Sequence, residues 1–373
     1  MSPSQHPPID VLTVAGARPQ FIKSVAVTRA LAARGRTEWL VHSGQHPDDG
    51  MGLDFLRELG GKLPDAQLQP NQDSRTRRMA DMMTGIAREI ERVNPRAVIV
   101  YGDTDSTLAG ALAAHHAGVP LLHVEAGLRS GDRGMPEEHN RILTDGLSDL
   151  LFTTGPIPTG QLLKEGMDAG RIVEVGDVML DVALTARKST TERRPPGWQQ
   201  GKGPALVVTL HRPSTVDAPE LLAGALSALE HWCAASGGWA YFPVHPRTAA
   251  RMKAHGLSLP PGVVDPGPIG YLDMQAALCH AQAVLTDSGG LQKEAWFQGT
   301  SAVVLRDTTE WLELLDIGAS TLFDPHTLVN PDAQSALVDR LLSLSAVPSV
   351  EEAGLFGGGR AAERIVTALE SVL

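Results

Sequence analysis

Three acidic residues fall at or just beyond the ends of short apolar runs between Val100 and Arg141. Asp103 closes Val100-Tyr101-Gly102-Asp103-Thr104, Glu125 follows His123-Val124, and Glu137 opens Glu137-Glu138-His139-Asn140-Arg141. In an open α/β sheet the carboxyl ends of parallel strands face the ligand crevice, so Asp103 and Glu125 are expected to look into it together. Carboxylates crowded in one cleft raise one another's pKa, which provides both a base and an acid near neutral pH. The plainer alternative, that each acid caps the helix after it, accounts for any one of them but poorly for all three.

Other loops carry residues suited to a nucleotide diphosphate. Gly16-Ala17-Arg18-Pro19 follows the first apolar run, and Pro19 suits the first helical position, where its missing N–H costs nothing. The exposed amides of that helix start, the Arg18 guanidinium and Lys23 a turn later form a candidate anion cradle, although a simple strand-to-helix turn would look the same. In Thr286-Asp287-Ser288-Gly289-Gly290 a hydroxyl and two glycines let amides approach a phosphate, and Glu294 is placed to accept from a ribose diol. The alternative there is a tight turn with a surface glutamate. His211 with Arg212, and His245 with Arg247, each end a run of the second half, while Gln45-His46 ends one in the first. A histidine beside a departing phosphate supplies positive charge or a proton; a hydrogen-bonded structural histidine is the alternative. No Ser/His/Asp order, Walker motif or metal-ligand spacing is present, so chemistry by acids, histidine and fixed amides, without metal or cofactor, is expected.

These residues need elements to place them. The 373-residue chain is long enough for about two domains, and its 42% hydrophobic and 20% charged content is that of an ordinary soluble protein. A net charge of −11, from 32 Lys+Arg against 43 Asp+Glu, argues against nucleic acid and against an anionic membrane as partners. Cys233 and Cys279 form no CxxC, and Met1 to Pro8 reads as neither signal peptide nor anchor, so the cytoplasm is the expected compartment. Strands are expected at Ile9–Ala15, Glu38–Ser43, Ala97–Tyr101, Leu121–Glu125, Leu150–Thr153 and Ile172–Val175, with helices such as Pro19–Ala33 and Arg75–Val93 between them. Ser189 to Gly203 reads as a linker or surface loop. A second series has strands at Ala205–Leu210, Ala240–Val244, Val263–Asp265, Ala283–Thr286 and Ala302–Leu305, and helices near 219–234, 272–281, 291–298 and 333–342. The expected class is therefore α/β, two Rossmann-like domains facing across a cleft: residues 1–176, with a last helix near 358–373 packing back on them, and residues 177–357.

Taken in order, Gly16 to Lys23, Ser43-Gly44-Gln45-His46, Tyr101 to Thr104, His123 to Ser130, Pro136 to Arg141, Thr209 to Arg212 and Thr286 to Glu294 resemble the successive motifs of the non-hydrolysing UDP-N-acetylglucosamine 2-epimerases. The resemblance spans nearly the whole chain. It implies a glycosyltransferase-B-like fold, a homodimer, a UDP-sugar substrate and no metal or redox cofactor. By position, Arg18, Lys23, Asp103, Glu125, Glu137, Arg141 and His211 match catalytic-site residues. Ser288, Gly289, Gly290 and Glu294 match the UDP loop, with Arg212 and Tyr271 grouped beside it. Gln45, His46, Gln69 and His245 resemble positions that hold a second, activating UDP-sugar. Two segments depart from the pattern: Thr309-Glu310-Trp311-Leu312-Glu313 stands for Thr-Glu-Arg-Pro-Glu, and Pro213-Ser214-Thr215 for the Glu-Asn after His-Arg. Arg-Pro-Gln-Phe-Ile-Lys, Gln-Lys-Glu-Ala and Thr-Glu-Trp resemble a branch acting on UDP-2,3-diacetamido-2,3-dideoxyglucuronate. Trp311 is then either core or cleft lining, and Lys293 or Arg129 is a candidate partner for a C6 carboxylate.

The resemblance implies loss of the C2 hydrogen and of UDP to give a 2-acetamidoglycal, then return of both with the proton on the opposite face. Two faces need two proton carriers, which Asp103, Glu125 and Glu137 can supply. UDP-N-acetylglucosamine is the expected substrate, in a polysaccharide-biosynthetic setting, with the diacetamido uronate as the close alternative. A hydrolysing epimerase, a glycosyltransferase of the same fold and a non-catalytic UDP-sugar sensor remain as rival readings.

Overall fold

The computed structural model describes residues 9–46 and 56–373. The chain divides into two compact units, one running up to Val182 and taking in Leu355–Leu373, the other comprising Ala183–Gly354.

In the first unit seven parallel strands lie in the order β3-β2-β1-β4-β5-β6-β7. They are β1 Val11–Ala15, β2 Glu38–His42, β3 Ala66–Gln67, β4 Ala97–Tyr101, β5 Leu121–Val124, β6 Leu150–Thr153 and β7 Ile172–Glu174. Helices cover the sheet on both faces, which is why β1 and β4 are buried at every position and read as unbroken apolar runs. The helix Arg75–Val93 turns Met82, Ile86, Ile90 and Val93 inward and is capped by Ser74, whose side chain accepts from the Arg77 amide. The second unit repeats the plan with six parallel strands in the order β10-β9-β8-β11-β12-β13. These are β8 Ala205–Thr209, β9 Trp239–Tyr241, β10 Val263–Val264, β11 Ala283–Thr286, β12 Ala302–Val304 and β13 Ser320–Leu322.

The α/β class expected from the repeating pattern holds, with two short strands, β3 and β13, that the pattern did not reveal. The segment from Ser189, expected as loop, first completes the helix Val178–Glu192. There the hydroxyls of Ser189, Thr190 and Thr191 donate to the Ala186 and Arg187 carbonyls one turn back.

The C-terminal helix Ala361–Leu369 belongs to the first unit, where Asp181 receives it: the carboxylate accepts from the Ala361 and Ala362 amides at 3.1 and 2.7 Å. Burial pushes the Asp181 carboxyl up to about 6 against the opposing pull of those two amides. Since the folded value lies above the unfolded one, the penalty for ionising Asp181 is fully present above about pH 6 and fades as pH falls toward 4. Asp181→Asn carries no such penalty, so the wild type should gain on the variant by on the order of 2–3 kcal/mol between pH 7 and pH 4. Denaturant titration of both proteins at the two pH values checks this, and parallel pH dependences would refute it.

Candidate active site

In each sheet the strand order reverses once, between β1 and β4 in the first and between β8 and β11 in the second. At such a switch point the loops leaving adjacent carboxyl ends diverge and open a crevice. The loops there carry Gly16–Arg18 and Gly102–Asp103 in the first unit, and His211–Arg212 and Asp287–Gly290 in the second.

In the first unit Lys23, on the helix Arg18–Ala33, places its Nζ 2.7 Å from Glu125 Oε1, with only 11% and 12% of the two side chains exposed. Burial pulls the Lys23 ammonium down, but the Glu125 carboxylate together with Asp177 and Asp103 outweighs it and the net shift is upward. Glu125 has a φ of 73°, a left-handed conformation that a non-glycine residue holds only where its surroundings impose it. Arg141 reaches Asp103 Oδ2 at 2.5 Å. Burial pushes Asp103 up, Arg141 and Lys23 pull it down, and nearby Glu125 and Glu137 add to the upward side, which wins. Asp103, Glu125, Glu137, Lys23 and Arg141 are thus one electrostatic cluster, in which Lys23, read from the sequence as part of an anion cradle, instead pairs with Glu125.

Arg18 lies half-buried at the helix start. The cradle expected beside it is different in kind. Gln20 Oε1 accepts from the Gly16 and Ala17 amides at 2.8 and 3.1 Å, so those amides are engaged within the chain. Gly16 is required because a Cβ there would fall 2.0 Å from the hydroxyls of Ser43 and Ser106.

The two adjacent glutamates separate by role. Glu138 is 3% exposed and accepts from the Ser130 amide and hydroxyl, the Gly131 amide and Arg141. Burial would raise its carboxyl, yet those donors hold it below the usual range. Glu137 instead lines a cavity of about 350 Å³ with Gln45, His46, Arg75, Arg78, Asp103, Thr104, Asp105, Pro136 and Asn140. Of the residues expected to hold a second nucleotide sugar, Gln45 and His46 line this cavity. Gln45 Oε1 accepts from the Ser106 amide and hydroxyl. Gln69 is exposed on the loop after β3 and is not among the lining residues, and His245 belongs to the second unit.

In the second unit Asp287, fully buried, accepts from the His211 and Arg212 amides at 2.8 Å through Oδ2, while Oδ1 lies 3.3 Å from His211 Nδ1. The sequence drew attention to the hydroxyl and glycines of this loop, not to the acid that shapes it. Its signal was an acid directly following the buried strand Ala283–Thr286. The His211 and His245 rings lie 5.4 Å apart, and His245 is lowered by burial and by His211. Ser288 caps the helix Gly289–Phe297. A Cβ at Gly290 would meet no protein atom, so packing within the chain gives no reason for glycine there. Glu294 is half-buried and accepts from Gln275 at 2.6 Å; Tyr271 is 3% exposed at the start of its helix.

Trp311 is core, 5% exposed, and its ring lies under the Lys293 ammonium at 3.5 Å. Arg129 is bound to Asp145 at 2.8 Å and Glu165 at 2.6 Å. The two cations considered for a C6 carboxylate are therefore engaged inside the protein. Among the described residues no group of three or more His, Cys, Asp or Glu is arranged to hold a metal ion, and no helix is long and apolar enough to cross a membrane.

The family described as UDP-N-acetylglucosamine 2-epimerase matches residues 29–370. The chain belongs to this family. Among epimerase relatives, it is 40% identical over 358 residues to the UDP-2,3-diacetamido-2,3-dideoxy-D-glucuronate 2-epimerase of Pseudomonas aeruginosa, covering 95% of this chain and 98% of that one. It is 32% identical to the UDP-N-acetylglucosamine 2-epimerase of Methanocaldococcus jannaschii, over 95% and 97% of the two chains. The crystal structure of the M. jannaschii UDP-GlcNAc 2-epimerase in complex with UDP-GlcNAc and UDP has a similar fold, with a TM-score of 0.82 at 30% identity over 97% of this chain and 98% of that one.

Proposed function

We propose that this epimerase-family chain catalyses reversible epimerisation at C2 of a UDP-linked 2-acetamido sugar, with UDP-N-acetylglucosamine and UDP-N-acetylmannosamine as the parent pair. The observation that carries the reading is the cluster of Asp103, Glu125 and Glu137 with Lys23 and Arg141 at the strand ends of the first unit. The C2 hydrogen of the sugar is not adjacent to a carbonyl, so its removal alone would leave an unstabilised carbanion. A carboxylate takes the C2 proton as the C1–O bond breaks. The electron pair of that bond leaves with UDP, and C1=C2 forms. Re-addition of UDP at C1 with proton delivery to the other face of C2 restores the bonds in the epimer.

Asp103, Glu125 and Glu137 carry protons, with Lys23 and Arg141 setting their charge balance. Arg18, His211, Arg212 and the Ser288–Gly290 amides take up the charge developing on the diphosphate, and Glu294 and Tyr271 hold the nucleoside. Gln45 and His46, which line the cavity with Glu137, belong to the activator set. Residues 1–176 with the C-terminal helix carry the chemistry, and residues 177–357 carry UDP. The enzyme works as a cytoplasmic homodimer supplying polysaccharide synthesis; Ile142 and Leu143, apolar and 38% and 53% exposed, offer a surface for the second copy.

A second reading, the 2,3-diacetamido uronate as preferred substrate, is favoured by one observation, the 40% identity to an enzyme of that name. One experiment tests both. The protein is incubated with each UDP-sugar in deuterated water, and the products are followed by NMR. Deuterium at C2 of a sugar still attached to UDP is expected, with measurable turnover of UDP-N-acetylglucosamine. Free sugar would move the chain to hydrolysis, and product without deuterium would refute solvent-exchanged proton transfer. A kcat/KM about tenfold higher for the uronate, equivalent to roughly 1.4 kcal/mol, would make it the substrate.

A further inference from the structure

We propose that His123 and Asp145 are a positioning pair that locks the two loops bearing Asp103 and Glu125 at a fixed separation, a role that rests on the epimerase reading. Both side chains are fully buried. His123 Nδ1 lies 2.7 Å from Asp145 Oδ1, and Nε2 lies 2.7 Å from the Gly102 carbonyl oxygen. A carbonyl only accepts, and so does an ionised carboxylate, so both ring nitrogens must donate and the ring carries both protons. A buried ion pair contributes little net stability over apolar residues of the same volume. What it does here that an apolar ring would not is tie down backbone.

Each tie ends next to a proton carrier. Gly102, in the left-handed region at φ 61°, directly precedes Asp103, and His123 pins its carbonyl. Asp145 Oδ2 accepts from the Gly127 amide at 3.2 Å, two residues beyond Glu125 and its strained φ of 73°. Asp145 sits on the helix Pro136–Leu147, which also sends Asn140 Nδ2 to the Asp103 carbonyl at 2.9 Å and Arg141 to the Asp103 carboxylate. One helix thereby holds both turns. The charges alternate along His123, Asp145, Arg129 and Glu165 and sum to zero, so the network can stay ionised in the interior. Burial would raise Asp145, yet His123 and Arg129 hold it below the usual range. Delivering protons to opposite faces of one carbon demands that the carriers keep their spacing, and a displacement of about 1 Å can cost on the order of 10²-fold in rate.

The test combines NMR on the intact protein with kinetics. Nitrogen-15 spectra of the imidazoles, with His123 assigned by its loss in His123→Asn, should show hydrogens on both ring nitrogens. A single-proton tautomer at His123 would overturn the proposal whether or not any variant folds. In His123→Asn, which can keep a donor toward Asp145 but leaves the Gly102 carbonyl unpaired, and in Asp145→Asn, kcat and C2 deuterium exchange should fall about 10²-fold. KM and the UDP dissociation constant should stay within about threefold. Unchanged kcat, or equal losses in turnover and UDP affinity, would reduce the pair to ordinary structure. If the wild type exchanges no C2 hydrogen, the epimerase reading fails, and the NMR result still reports separately on the buried ring.

Discussion

Asp103→Asn, Glu125→Gln and Glu137→Gln are each expected to lose on the order of 10² to 10⁴ in turnover, the range for removing a positioned acid or base, while retaining UDP binding. The substitutions keep size and polarity and remove the ability to carry a proton. Burial, with Glu125 and Glu137 close by, raises the Asp103 carboxyl, while Arg141 and Lys23 limit the rise. Glu138 serves as the internal comparison. Its carboxylate is committed to the Ser130–Gly131 turn and to Arg141 and is held low. Glu138→Gln should therefore loosen that turn and weaken activity without altering the pH–rate profile, whereas a change at a proton carrier alters it. Steady-state kinetics with calorimetric UDP titration separates the cases. Near-normal turnover in all three carrier variants would sink the acid-cluster reading.

Lys23→Met is expected to destabilise the first unit by about 3–5 kcal/mol, because it strands the Glu125 carboxylate in a site built around an ion pair. The folded pKa of Lys23 lies above its ordinary 10.5, so this contribution is fully present below that value and is lost only as pH rises beyond it. At lower pH the stranded carboxylate can escape the penalty by taking up a proton, so the loss in the variant should shrink as pH falls. Lys23→Met combined with Glu125→Gln should recover a large part of it, since the amide needs no counter-charge. Denaturant titration of the four proteins gives the coupling energy. Additive losses would show that the pair is not a unit and that Glu125 keeps its strained backbone by other means.

Local signals in the sequence established which stretches become strands and helices. Runs such as Ala97–Tyr101 and Ala283–Thr286 are apolar throughout because each sheet is covered on both faces, and their ends were legible to within a residue. Arg75–Val93 was legible as a helix from its pattern, and its ends match. β3 and β13 were not, since Ala66–Gln67 and Ser320–Leu322 lack the apolar run that marked the equally short β10, Val263–Val264, and become strands by pairing with β2 and β12. The family, too, was legible, because motif order is a property of the chain itself.

The partner of each polar group was decided only by tertiary structure. Gln20 was one polar residue among many until its side chain met the Gly16 and Ala17 amides and the Tyr101 carbonyl. Of two adjacent glutamates the resemblance pointed to Glu137, but no local pattern gave a physical reason; the phase of the helix against its neighbours put Glu138 in the Ser130–Gly131 turn and Glu137 at the cavity. Asp287 and His123 were hidden for the same reason. An ionisable residue at a strand end becomes a positioning group only when the fold brings an acceptor or donor from 21 to 76 positions away into hydrogen-bonding reach. Strand runs and helix periods are set by neighbours along the chain, whereas these contacts are set by how parallel strands from distant segments register against one another.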